Sequence, residues 1–423
     1  MFDFDMLGLA PKLNTALQTA GFKEPTPIQN QAIPLALEGH DILGLAQTGT
    51  GKTLAFGLPL IDHMLKESGQ RAPKSAKALI LAPTRELVNQ IADSLRVLTT
   101  GTHLKVATVV GGQSIGRQIS LLSKGTDILV ATPGRLIDLM ERRAVDLGSV
   151  RHLVLDEADQ MLDLGFIHAL RKIAPRLGTP RQTMLFSATM PKQMEELSRA
   201  YLTDPRRVQV APPGKAADKV TQSVHFVEKS SKPAKLREIL SRDADALTLV
   251  FARTKHGAEK LMKGLVADGY NAASIHGNKS QGQRDRAIKA FRDGTITTLV
   301  ATDVAARGID IPGVAYVINF DLPEVPDNYI HRIGRTARAG LEGEAISFCA
   351  PDESDLLRQI QKLMKIDVPI ASGTSTLSDT AGGTGRRSGG GQRGRGRGQG
   401  GGANTSTPAS PSKGRRPRRR RAA

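Results

Sequence analysis

The sequence predicts an α/β protein: two doubly wound parallel-sheet domains in tandem, followed by a basic tail without a core. Three observations predict this. Short β-rich apolar runs recur at 78–81, 106–110, 127–131, 152–155 and 183–186, and again at 223–227, 248–251, 298–301, 316–320 and 345–348. Most of these runs lack polar alternation, so both of their faces are buried, as in parallel sheets covered by helices. The 423 residues, less the tail, fit two domains of roughly 150–200 residues, each able to bury a core.

The domains divide near 204–219, where Asp204-Pro205 and Ala211-Pro212-Pro213-Gly214 break regular structure. The expected limits are 1–208 for the first domain, 209–218 for a linker, 219–370 for the second domain and 371–423 for the tail. The tail carries eleven arginines and one lysine against one aspartate, so +11 of the chain's net +18. It runs through alternating Arg and Gly at 393–398 and holds almost no apolar residues. Such a segment cannot offset its ordering entropy and is expected to be disordered.

A basic body with a more basic tail points to a polyanionic partner, nucleic acid before all others. Aromatic residues make up only 4%, with no Trp, so the grip on nucleic acid is expected through the backbone rather than by base stacking. Cys349 is the only cysteine, which excludes an intrachain disulfide. Met1-Phe2-Asp3-Phe4-Asp5 has neither a basic n-region nor an apolar h-region, and no apolar run approaches membrane-spanning length. A cytoplasmic protein without a membrane partner is expected.

Residues 46–53 read Ala46-Gln47-Thr48-Gly49-Thr50-Gly51-Lys52-Thr53. They match a phosphate-binding loop at Gly51-Lys52-Thr53, with Ala46 where that pattern has its first glycine. Gly49 and Gly51 let backbone N–H groups approach phosphate. Lys52 reaches the β- and γ-phosphates, and Thr53 offers a hydroxyl to Mg²⁺. Asp156-Glu157 follows the apolar Leu153-Val154-Leu155. Asp156 suits the Mg²⁺ shell, and Glu157 suits the base that deprotonates an attacking water. In the second half, His331-Arg332-Ile333-Gly334-Arg335-Thr336-Ala337-Arg338 offers arginines to the same ATP. Arg335 and Arg338 stand three apart, so on a helix they share a face and both reach a transferring γ-phosphoryl group. Arg332 points elsewhere or assists.

With these motifs in order, the chain resembles a DEAD-box ATP-dependent RNA helicase, and closely the bacterial RhlE-type subgroup, over residues 2–365. The resemblance implies two RecA-like domains. It implies that Gln29, in Gly21-Phe22 and Pro25-Thr26-Pro27-Ile28-Gln29, reads the adenine edge, and that the upstream Phe4 stacks on the ring. It implies coupling roles for Asp159, for Ser187 and Thr189 of Ser187-Ala188-Thr189, and for His331. Asp310 is implied at the ribose. RNA contacts are implied at Thr84, Arg85, Gly112, Thr132, Pro133, Gly134 and Arg135, and at Gly277, Arg284 and Thr302, with neighbours including Glu86 and Gln281. Hydroxyls, glycine N–H groups and arginines of this kind position phosphates and carry little base information. Ala337 stands where many relatives have Gly, a substitution expected to be helix-compatible.

The sequence therefore predicts an ATP-dependent RNA helicase, a monomer that closes two domains on RNA and melts short duplexes or remodels RNA–protein complexes. Ribosomal precursors or the RNA-decay machinery are its expected company. The tail is expected to tether RNA without regard to sequence. Two alternatives stay open: an ATP-independent RNA chaperone acting through the tail, and a DNA-directed translocase.

Overall fold

The computed structural model describes residues 3–47, 49–67, 71–210, 220–306, 311, 313–337 and 342–374. The linker 209–218 falls largely outside the described residues, as does almost all of the tail.

Two seven-stranded sheets form the body, with every strand pair parallel. The first contains β1 (Ile42–Leu45), β2 (Ala76–Leu81), β3 (Val106–Val109), β4 (Thr126–Ala131), β5 (His152–Leu155), β6 (Gln182–Ser187) and β7 (Arg206–Gln209). The second contains β8 (Val220–Phe226), β9 (Thr248–Phe251), β10 (Ala272–Ile275), β11 (Thr298–Ala301), β12 (Tyr316–Asn319), β13 (Gly343–Cys349) and β14 (Ile370–Ser372). The strand orders are β3-β4-β2-β5-β6-β1-β7 and β10-β11-β9-β12-β13-β8-β14. Shifting each label of the first sheet by seven gives the second, so every strand has a counterpart.

Helices cover both faces of each sheet. Ala78 and Ile80 join one apolar cluster of the first sheet, while Leu79 and Leu81 join the other. Likewise Leu249 and Phe251 face one cluster of the second sheet and Val250 the opposite one. The period-two alternation of a strand places apolar side chains on both faces. That accounts for the uninterrupted apolar runs in the sequence.

The strands without such a run, β1, β7, β10 and β14, include three of the four sheet edges. β7 lies inside the segment expected to break structure, and among its four residues only Val208 is buried. β14 carries the second sheet to Ser372, past the expected start of the tail at 371. An edge strand faces solvent on one side, so its sequence need not be apolar throughout. Among the described residues no helix is long and apolar enough to cross a membrane.

Candidate nucleotide site and the cleft between the sheets

β1 stops at Leu45 and the loop that follows is pinned to β6, because the Ala46 N–H donates to the Ser187 carbonyl at 3.0 Å. Gly49 and Gly51 take φ values of 85° and 91°, the left-handed region that glycine enters without penalty. A Cβ on Gly51 would collide with the Gln29 amide and the Thr26 side chain. The loop turns directly into the helix Lys52–Lys66, whose first N–H groups make an anion-binding end.

Lys52 and Asp156 meet behind this loop, with Nζ 3.7 Å from Oδ1, and both are almost fully buried. Burial pushes the Asp156 carboxyl pKa up, while the Lys52 ammonium opposes the shift. Glu157 takes φ 51° and ψ 51°, an uncommon conformation for a residue with a Cβ. Its backbone N–H donates to Asp156 Oδ1 at 2.9 Å. A pocket of about 680 Å³ lies in front, walled by Gly49, Gly51, Lys52, Thr53, Asp156 and Glu157, and also by Phe22, Thr26 and Gln29. The donor set suits MgATP. Among the described residues no group of three or more His, Cys, Asp or Glu could hold a metal alone. One carboxylate and one hydroxyl match a Mg²⁺ ion that keeps its waters and phosphate oxygens.

Gln29 is buried, and both ends of its amide are fixed. Oε1 accepts from the Thr26 N–H at 2.8 Å, as part of a capping box on the helix Pro27–Leu37, and Nε2 donates to the Gly51 carbonyl at 2.9 Å. One lone pair and one N–H of the amide remain beyond these two bonds. Phe4 does not share this wall. It is 3% exposed, packed in the first core, so its expected place on the adenine ring is corrected. Phe22, 44% exposed, lines the pocket instead. The signal was present in Gly21-Phe22, directly before Gln29's segment. The apolar neighbours of Phe4, which draw it inward, could be recognised only in three dimensions.

From the acidic strand end, bonds lead to the cleft. Asp159 Oδ2 accepts from the Ala188 N–H, the Thr189 N–H and Thr189 Oγ1 at 3.0, 2.9 and 3.1 Å. Ser187 Oγ donates to the Thr189 carbonyl at 2.7 Å. Ala188 and Thr189 then line a small cavity with Gln47 from the first half and Asp327, Ile330, His331 and Gly334 from the second.

The arginine motif is only partly helical. The helix Pro326–Ile333 ends before Arg335, which corrects the expectation of a shared helical face for Arg335 and Arg338. Ala337 has φ 54°, so the position favours glycine rather than a helix former. Arg335 Nε donates to the His331 carbonyl at 3.2 Å. Its side chain lines a second small cavity with Asp303 and His331, rather than the nucleotide pocket. Arg332 is wholly buried. It makes two bonds to Asp303, at 2.5 and 2.7 Å, and others to Asn319 Oδ1 and the Asp321 carbonyl, and it stacks over Phe251. Its role is to anchor the helix. Thr48, Asp310 and Arg338 lie outside the described residues.

Residues 26–197 match the family model described as DEAD/DEAH box helicase, and residues 231–340 match the helicase conserved C-terminal domain. The ATP-dependent RNA helicase CshA of Limosilactobacillus reuteri is 44% identical over 367 residues, covering 86% of this chain and 72% of that protein. The chain belongs to the DEAD/DEAH box helicase family. Among solved structures, S. cerevisiae Dbp5 bound to RNA and ADP-BeF3 is 31% identical with a TM-score of 0.77, over 87% of this chain and 95% of that one. Mss116p bound to ssRNA and AMP-PNP is 30% identical with a TM-score of 0.79, over 87% and 79%. These likenesses fit the two RecA-like sheets described above.

In this helicase the residues expected to meet RNA lie at or near helix starts and strand ends of both sheets. Thr84 caps the helix Arg85–Leu98, its hydroxyl accepting from the Leu87 N–H at 3.2 Å. Arg85 packs over Gly112, where any Cβ would strike the guanidinium. Thr132, Pro133 and Gly134 start the helix Pro133–Glu141, and Arg135 donates to the Gln113 carbonyl at 3.0 Å. From the second sheet, Thr302 follows β11, and Arg284 lies on the helix Gln281–Arg292.

Arg85 and Arg284 also reach each other's side of the cleft. Arg85 Nη1 donates to Gln281 Oε1, while Gln281 Nε2 and Arg284 Nη2 both donate to Glu86 Oε1, all at 3.0 Å. Glu86 thus bridges the two halves. Gly277 sits in a turn held by Glu259, which accepts from Ser274, His276 and Lys279 at 2.7, 3.0 and 2.8 Å. Those bonds hold its carboxyl well below the usual range, at about 2. Glu259 carried no sequence signal, because it lies on the preceding helix, Lys255–Ala267, and only the fold brings it to the turn it fixes.

Proposed function

We propose that this helicase uses ATP binding to close its two sheets on RNA and hydrolysis to reopen them, unwinding short duplexes or remodelling RNA–protein complexes on the way. The observation that carries this is the junction of Gln47, Ala188, Thr189 and His331. There the phosphate loop and the Asp159-linked turn meet the helix that precedes Arg335. A change at the γ-phosphate therefore reaches the second half through packed and hydrogen-bonded groups.

Bound ATP supplies the phosphoanhydride to be cleaved, with Mg²⁺ as its counter-ion. Lys52 and the N–H groups of the 46–53 loop hold its phosphates. Thr53 and Asp156 would hold the Mg²⁺ ion, which would offset the phosphate charge. Glu157 takes the proton of the attacking water. Arg335 and Arg338 complete the site on closure, and Asp310 receives the ribose. Gln29 reads adenine with its remaining donor and acceptor, against Phe22. Thr84, Arg85, Gly112 and the helix start at 132–135 hold one side of the RNA backbone, and Gly277, Arg284 and Thr302 the other. ATP and RNA both favour the closed state, so each tightens the other.

The finer expectations belong with this proposal: the RhlE-type subgroup, domain limits of 1–208 and 219–370, a cytoplasmic monomer, and work on ribosomal precursors or with the RNA-decay machinery. The order of the motifs and the single cysteine support it. ATPase turnover with RNA and with DNA of the same sequence is the test. RNA should raise kcat/KM for ATP strongly and DNA should not. Equal stimulation would favour the translocase. Strand melting or annealing that survives Lys52→Ala would favour the chaperone.

A further inference from the structure

The repeated strand order gives each loop of the first sheet a counterpart in the second. Lys52 opens the helix after β1, and Lys232 opens the helix Lys232–Leu240 after β8, the strand that corresponds to β1. Asp156 follows β5, and Asp321 follows β12, the strand that corresponds to β5. The separation of the two charges recurs as well, 3.7 Å for Lys52 and Asp156 and 3.5 Å for Lys232 and Asp321. In both sheets a lysine at a helix start faces an aspartate at the carboxyl end of a central strand.

What lies in front of the lysine differs. Lys52 borders the nucleotide pocket. In front of Lys232 stands Glu353, brought there by the short turn after β13. Its Oε2 accepts from Lys232 Nζ at 2.6 Å and from the Ala350 N–H at 3.1 Å, and its Oε1 accepts from Arg253 Nη2 at 2.6 Å. Lys232 is 1% exposed, and it also donates to the Phe320 carbonyl at 2.8 Å. An ammonium, a guanidinium and a backbone N–H converging at a helix start form a donor set suited to an oxyanion.

We propose that Lys232, Arg253 and the Ala350 N–H form a second oxyanion site, that its resident anion is the chain's own Glu353, and that this plug confines nucleotide phosphate to the first sheet. The proposal rests on Lys52 being the phosphate lysine of the first site. Stability alone gives a weak reason to keep such a cluster, because apolar residues of similar volume often replace buried ion pairs without loss. Its topological match to Lys52 and Asp156 gives a specific one. Without the Glu353 carboxylate, Lys232 and Arg253 remain against the single carboxylate of Asp321, a net positive charge that a small oxyanion such as inorganic phosphate would satisfy.

Thermal unfolding of the full-length chain in chloride and in inorganic phosphate, at equal ionic strength, tests this. Lys52→Ala is carried in every protein to silence the first site, so the outcome does not depend on ATP turnover. The ATPase comparison given above tests the first site separately. Adding Glu353→Ala should lower the midpoint on the order of 10 °C in chloride. Phosphate should recover most of that drop, saturably. The Lys52→Ala parent should show no such recovery. Lys232→Met with Glu353→Leu removes cation and anion together, and should unfold near the parent in both buffers. If Glu353→Ala does not fold in chloride, folding restored by phosphate gives the same answer, and Glu353→Ser repeats the test with one acceptor kept. The proposal is overturned if phosphate stabilises all four proteins alike, or leaves Glu353→Ala and Glu353→Ser as unstable as they are in chloride.

Discussion

The two sheets place the same pair of charges at the same strand ends and put them to opposite uses. In the first, Lys52 borders an open pocket together with Gly49 and Gly51, and a Cβ on Gly51 would collide with Gln29 and Thr26. In the second, the residues after β8 lead to Lys232 without a glycine-rich loop, and Glu353 fills the position. One fold therefore yields a site that exchanges its anion and a site that keeps one. The comparison teaches that the phosphate lysine does not define a nucleotide site. The backbone in front of it does, by leaving room or letting a carboxylate in.

That contrast breaks most visibly when the chemistry is removed from the first site. Glu157→Gln keeps the shape and loses the base, so kcat for ATP should fall roughly 10²- to 10⁴-fold, with ATP and RNA affinities near those of the wild type. Single-turnover hydrolysis beside nucleotide titration checks this, and normal turnover would remove Glu157 from its role.

The paired lysines sharpen it next. Lys232→Met leaves Glu353 with only Arg253 and the Ala350 N–H and should cost about 3–5 kcal/mol of stability, with KM for ATP unchanged. Lys52→Met should do the reverse, abolishing nucleotide binding with a much smaller loss of stability. Denaturant unfolding and ATP titration of both variants decide the matter. Equal losses of stability would mean that the two lysines do the same work.

A smaller effect concerns which base the first site accepts. Gln29→Ala should lose about 1–3 kcal/mol of preference for ATP over GTP, roughly 5- to 150-fold in kcat/KM, chiefly by weakening ATP. An unchanged ratio would mean that adenine is read elsewhere. The smallest effect lies on the second side. Ala337 holds φ 54°, so Ala337→Gly should relieve strain and stabilise the chain by about 0.5–1 kcal/mol. A stability loss measured in urea would show that the Ala337 methyl matters more than its backbone.

Much of this could be read in advance. The apolar runs gave the buried strands, because a strand covered on both faces has no room for polar residues. β7, β10 and β14 were missed, since an edge strand needs only part of its surface to be apolar. The phosphate loop and Asp156-Glu157 were legible because each is a short segment whose chemistry is complete within a few residues. Phe4 and Phe22 could not be told apart in the same way. Both are aromatics near one motif, and the neighbouring core alone decided that Phe4 turns inward and Phe22 outward.

The sequence by itself determined the fold class, the nucleotide chemistry and the order of the motifs, because local spacing and periodicity encode all three. Tertiary structure alone decided the partners of charges far apart in the chain. Glu353 meets Lys232, Glu86 bridges to Arg284, Asp159 holds Thr189, and Arg332 turns into the second sheet rather than toward ATP. A charged side chain looks the same in sequence whether it faces water, a ligand or another buried charge. Only packing fixes which groups share a low-dielectric space, and there an unpaired charge is too costly to leave.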